Sequence, residues 1–152
     1  MEGFRLARKK YAIELSGKGA SIVGARWNSK GTEIIYCAQS RALAMAEVAV
    51  HLSLATLPSD FVMLKVDIPN DIAIEVIDVK NLEPNWNIFP FDFSTQLLGD
   101  DFVRRNAACV LKVPSAVVKG DCNFLINPYH PDFKKIKIIE QSDFPFDKRI
   151  FK

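Results

Sequence analysis

This chain has almost no excess of either charge. Its 152 residues hold 20 basic and 18 acidic side chains, a formal net charge of +2. That balance argues against the basic face a nucleic-acid partner requires, while leaving room for a local anion site of a few arginines. Cysteine is scarce: Cys37, Cys109 and Cys122 form no C-x-x-C pair. An odd number without a framework reads as free thiols in a reducing compartment. Histidine is limited to His51 and His130, so there is no cluster of His/Cys metal ligands and little company for a Ser-His-Asp triad. No apolar run approaches membrane-spanning length, and residues 1–10 lack the apolar core of a secretory signal. The expectation is a cytoplasmic protein with no membrane or nucleic-acid partner. Both common phosphate-binding glycine patterns, G-x-x-x-x-G-K-[ST] and G-x-G-x-x-G, are also absent.

What is present suits a globular domain. Hydrophobic residues make up 49% and charged residues 25%, near the soluble average, and the length is that of one domain over 1–152. Prolines are spread along the chain, as expected for short elements joined by turns. Strands are expected at Glu33–Cys37, Phe61–Ile68, Ile72–Ile77, Ala108–Val113, Ala116–Val118 and Ile136–Glu140. Helices are expected at Arg41–Leu54, capped by Ser40, and Thr95–Arg105, capped by Ser94. The mixed order, without regular β-α-β alternation, predicts an α+β fold with a largely antiparallel sheet and flanking helices.

Three stretches carry candidate chemistry. In Arg41–Leu54 nearly every side chain is apolar, which predicts a helix buried on most faces. Glu47 is its only carboxylate. It is either paired with His51 or an arginine, or held at the floor of a cleft for catalysis. The second stretch clusters glycines at Gly17, Gly19, Gly24 and Gly31 around Arg26, Trp27 and Asn28. Glycines permit close backbone approach to a ligand, and Arg26 and Asn28 supply donors for phosphate or ribose oxygens. On the glycines alone the stretch reads as turns between strands, with Trp27 a core anchor. In the third, Leu111–Pro128, Ser115 sits at a break between apolar runs and Asn127 precedes Pro128. Both also suit plain turn roles.

Read together, FRLARKKYA, LSGKGA, GARWNSKGTEIIYCAQSRALAMAEVAVHL, STQLLGDDF, VPSAVVKGDCNFLINPYHPDF and FPFDKR resemble the RES-domain family, the toxin half of bacterial RES–Xre toxin–antitoxin pairs. The order and spacing agree over nearly the whole chain. Departures are Ala25, where the family often has a second glycine, and Ile22-Val23, where it often has a tyrosine.

The resemblance implies a fold akin to ADP-ribosyltransferases and cleavage of NAD at the nicotinamide–ribose bond, by hydrolysis or phosphorolysis. A transferase that modifies a protein and a non-catalytic binding module are the alternatives. It implies a catalytic set of Arg26, Tyr36 and Glu47, with Ser115, Asn127, Asn28 and Trp27 as substrate-binding candidates. Arg26 is expected to grip the pyrophosphate with its planar fork. Tyr36 is expected to offer a ring face and a hydroxyl, though it also reads as a plain core tyrosine. No cofactor or metal is implied, since NAD is the substrate. The implied partners are a cognate Xre-like antitoxin and, for phosphorolysis, phosphate.

Overall fold

The computed structural model describes residues 1–151. Its strands are β1 (Glu2–Arg8), β2 (Ile35–Ala38), β3 (Phe61–Asp67), β4 (Ile74–Val76), β5 (Val110–Pro114), β6 (Cys122–Ile126) and β7 (Lys137–Asp143). They form one sheet in the order β4-β5-β6-β2-β1-β3-β7. Only β4 and β5 run parallel; the other pairs are antiparallel. The helices are α1 (Lys18–Val23), α2 (Arg41–Ala49) and α3 (Phe93–Arg105). This is the expected α+β class with a largely antiparallel sheet.

Side chains alternate between the two sheet faces, as the pleat requires. Ile35, Cys37, Phe124 and Ile126 join Val66, Ile68 and Val110 in one core. On the opposite face the core is divided. Under α3, Phe102, Trp27 and Trp86 pack on Leu111, Val113 and Leu125. Under α2, Leu43 and Ala44 pack on Phe4, Leu6, Ala38 and Met63. Between these two clusters the sheet is left open. There β1 and β2 are joined at a single register pair, Phe4 opposite Ala38.

Several boundaries differ from the sequence expectation. The helix expected to reach Leu54 ends at Ala49, because the backbone tightens into short bonds from His51 N to Val48 O and from Leu52 N to Ala49 O. Its Ser40 cap forms as expected, the side chain accepting from Leu43 N at 3.1 Å. The helix is not buried on most faces, however: only Leu43 and Ala44 are. The cap of α3 is Asp92, not Ser94; its carboxylate accepts from both Ser94 N and Ser94 Oγ. Residues 116–118 form a turn instead of a strand, since Ser115 Oγ accepts from Val117 N and Val118 N, both at 3.0 Å. β1, α1 and β6 were not anticipated.

The N-terminal half of α3 clasps the loop that follows α1. Thr95 Oγ1 donates to Arg26 O, Gln96 Nε2 donates to Ala25 O and Asn28 O, and Asp100 Oδ1 accepts from Ser29 N. The approach is so close that a Cβ on Gly99 would lie 1.6 Å from Trp27 O. A glycine-to-alanine change inside an exposed helix is worth about 1 kcal/mol of added stability. Here the sign reverses. Gly99→Ala is expected to destabilise the fold by about 3 kcal/mol in urea unfolding, and unchanged stability would show that the clasp is loose.

Candidate active site

The gap between the two clusters is a cleft of about 810 Å³, within the range of roughly 300–1,000 Å³ typical of small-molecule sites. Its floor is Tyr36–Ala38 of β2 with Phe4 and Arg5 of β1. One wall is α2, presenting Glu47, and the turn after it, presenting His51; the opposite rim is the segment carrying Asn87, Phe89 and Phe91.

Glu47 is half-buried. Its Oε1 accepts from Ser115 Oγ and Asn123 Nδ2, each at 2.7 Å. Neither the His51 pair nor an arginine salt bridge forms among the described residues. The carboxylate is therefore held by neutral donors, with Oε2 left for a ligand. Ser115 combines a turn role with this contact, using its lone pairs for the backbone and its hydroxyl proton for Glu47.

Tyr36 presents its ring to the cleft while its hydroxyl is fully engaged. It donates to Asn28 Oδ1 at 2.6 Å and accepts from Trp27 N at 3.2 Å. Burial raises its pKa above the ordinary tyrosine value, so the phenol stays neutral. Trp27 is 3% exposed, and its ring lies 6.2 Å from that of Trp86. It is a core anchor that also contributes to the cleft lining.

Arg26 lines the cleft, but its fork does not stand free. Nη1 donates to Trp86 O at 2.7 Å and Nη2 to Ile88 O at 3.0 Å, and the guanidinium lies 5.7 Å from the Phe91 ring centre. Burial lowers its pKa, an effect opposed by the nearby charge of Glu47. Two of its N–H donors thus clamp the segment 86–88, and the rest of the fork has no acceptor among the described residues.

Two expected substrate contacts are not at the cleft. Asn28 is wholly buried, donating to Ala20 O, Ser29 O and Thr32 O and accepting from Tyr36. Asn127 is also wholly buried, donating to Asn106 Oδ1 and accepting from Tyr129 N. Both amides bridge backbone and side chains because an amide supplies donor and acceptor together.

The sequence reading missed Arg5 and Asn123. Arg5 donates through Nη1 to Tyr36 O at 2.9 Å, and its other nitrogens have no acceptor among the described residues.

The model of the RES domain matches residues 3–147. The chain belongs to the RES-domain family. A relative from Sphingobium, named Prs ADP-ribosylating toxin, is 36% identical over 96% of this chain and 92% of its own. Another, Toxin Res of Photorhabdus laumondii, is 36% identical over 98% of this chain and 96% of its own. The solved Mycobacterium tuberculosis MbcT–MbcA toxin–antitoxin complex contains the same fold, with TM-score 0.68 at 20% identity, covering 95% of this chain and 84% of that one. None of the described helices of this RES domain is long and apolar enough to cross a membrane.

In this RES domain the Tyr36 hydroxyl ties β2 to the loop that α3 clasps. Tyr36→Phe leaves Asn28 Oδ1 and Trp27 N without their partner. It is expected to cost about 2 kcal/mol of stability, measured by urea unfolding. A change below about 0.5 kcal/mol would show that water replaces the hydroxyl at no cost.

Proposed function

We propose that this RES domain is the toxin of a toxin–antitoxin pair and that it degrades NAD by breaking the nicotinamide–ribose bond. The observation that supports this best is Glu47: a carboxylate fixed through Oε1 by Ser115 and Asn123, with Oε2 open to an aromatic-lined cleft.

In the reaction, the bond between ribose C1′ and the nicotinamide ring nitrogen breaks. Its electron pair leaves with the ring, which departs neutral, and positive charge develops on the ribose. A preorganised carboxylate stabilises that charge, as carboxylates do in glycoside cleavage. An oxygen of water or phosphate then bonds to C1′ and releases its proton. Tyr36 supplies an aromatic face for the cationic nicotinamide ring. Arg5 and Arg26 both keep N–H donors for phosphate oxygens, since their bonds to backbone carbonyls use only one donor of Arg5 and two of Arg26, and Arg26 also holds the cleft rim. NAD is the substrate, and no cofactor enters this reading.

A second reading is transfer of the ADP-ribose to a protein side chain. It is favoured by the relative named as an ADP-ribosylating toxin, and it shares the bond-breaking step.

The test is incubation of the purified domain with NAD, with and without phosphate, and mass spectrometry of the products. Free ADP-ribose identifies hydrolysis, ADP-ribose bearing an added phosphate identifies phosphorolysis, and intact NAD overturns the reading. Glu47→Gln, which keeps the shape and removes the charge, is expected to lower turnover at least about 100-fold with unfolding unchanged within about 1 kcal/mol. Full turnover in this variant would remove Glu47 from the mechanism.

The partner in this reading is an antitoxin with an Xre-like helix-turn-helix region and a separate segment that covers the cleft. A carboxylate of that segment suits the arginines there. Co-expressed antitoxin is expected to co-purify with the domain and stop NAD loss. A complex that still consumes NAD at the free rate would place the antitoxin elsewhere.

A further inference from the structure

The hydrogen bond between Asn123 and Glu47 fixes what Asn123 shows to the cleft. A carboxylate only accepts, so the amide must turn its Nδ2 to Glu47, as it does at 2.7 Å. The amide oxygen then faces away from Glu47. Asn123 Oδ1 has no donor among the described residues, and no buried side-chain oxygen or nitrogen there lacks a partner. Oδ1 is therefore open, and Asn123 lines the cleft. Glu47 Oε2 likewise accepts no hydrogen bond among the described residues, since both protein donors go to Oε1.

The result is a pair of free acceptors side by side, one charged and one neutral. Their mutual hydrogen bond limits how far they move relative to each other. Asn123 is further fixed by its strand, standing opposite Ala38 of β2 and Val113 of β5, and a site on a paired central strand is held more firmly than one on a loop. Two adjacent acceptors with no donor between them complement two adjacent donors. Neighbouring hydroxyls on a sugar ring are such donors; a phosphate or carboxylate, which only accepts, is repelled.

We propose that Asn123 is a substrate-binding residue that reads a vicinal diol: its Oδ1 accepts from one ribose hydroxyl while Glu47 Oε2 accepts from the neighbouring one. This rests on the NAD-cleaving reading above and adds to it a residue that sets specificity for ribose over deoxyribose. It also separates Asn123 from Ser115. Both donate to Glu47, but Ser115 turns its remaining capacity to the backbone of residues 117 and 118 and has none for the ligand.

The experiment compares NAD with two analogues lacking the 2′- or the 3′-hydroxyl of the nicotinamide ribose. Each is measured as kcat/KM in wild type, Asn123→Ala and Ser115→Ala. Differences in intrinsic reactivity cancel when an analogue's penalty is compared between proteins. Wild type is expected to discriminate against at least one analogue by about tenfold relative to Asn123→Ala, the size of one hydrogen bond. Whatever penalty is left in Asn123→Ala reflects intrinsic reactivity and the Glu47 contact, whereas Ser115→Ala loses turnover on all three substrates and keeps the wild-type penalty. Both penalties surviving in Asn123→Ala would overturn the proposal. If Asn123→Ala does not fold, Asn123→Thr, suited to a central strand, takes its place.

Should wild type leave NAD intact, the reading of the reaction fails. The diol contact is then decided by calorimetry with ADP-ribose. Binding weakened at least fivefold by Asn123→Ala supports it, and equal binding or none overturns it.

Discussion

The close seating of α3 on the loop 25–29 is the constraint from which the site follows. Gly99 lets the Trp27 carbonyl lie where any larger residue would place its side chain, and Thr95, Gln96 and Asp100 hold the backbone on either side. With that backbone fixed, Asn28 is driven inward to meet Tyr36, and Arg26 is directed out to the carbonyls of residues 86 and 88. One helix–loop contact thus bears on the floor of the cleft through Tyr36 and on its rim through Arg26. The backbone atoms involved are satisfied by side chains of α3, which a helix can present at fixed spacing and a second loop cannot.

Glu47 illustrates a compromise on the other side of the cleft. A fully buried, ionised carboxylate carries a penalty of several kcal/mol unless paired, and a fully exposed one has its field screened by water. α2 avoids both extremes. It buries only Leu43 and Ala44 and sets Ala44 and Val48 beside Glu47 in the cleft lining. Two neutral donors hold one oxygen while the other stays wet until a ligand arrives. A charge so placed needs little reorganisation when positive charge develops beside it.

That compromise also explains which parts of the structure were legible in the sequence. The cap at Ser40, the apolar strand β3 and the α+β class follow from local patterning. The burial of α2 did not, because an apolar side chain facing a cleft and one facing a core look the same in a sequence. β1, with its charges at Glu2, Arg5 and Arg8, lacks a clean apolar alternation, and β6 places Asn123 where a strand face is normally apolar; that polar residue lines the cleft. Glu47 stood out as a lone carboxylate in an apolar segment. Asn28 and Asn127 stood out equally as polar residues in distinctive motifs, yet both serve backbone neighbours. The partners of Arg26 lie 60 and 62 residues away, beyond any local signal, so its fork was legible but its acceptors were not.

The use of neutral partners is common to both charges of the cleft. The charge of Glu47 acts on Arg26, yet the two form no ion pair among the described residues. The guanidinium is held by carbonyl dipoles, and the carboxylate by a hydroxyl and an amide. Had they paired, each would have neutralised the other, and a ligand would have had to break the pair before using either charge. Dipoles hold the side chains in place without cancelling their charge. The cleft therefore keeps a positive rim and a negative wall at once. In the NAD-cleaving reading proposed above, the cationic ring meets the negative wall and the phosphates meet the positive rim.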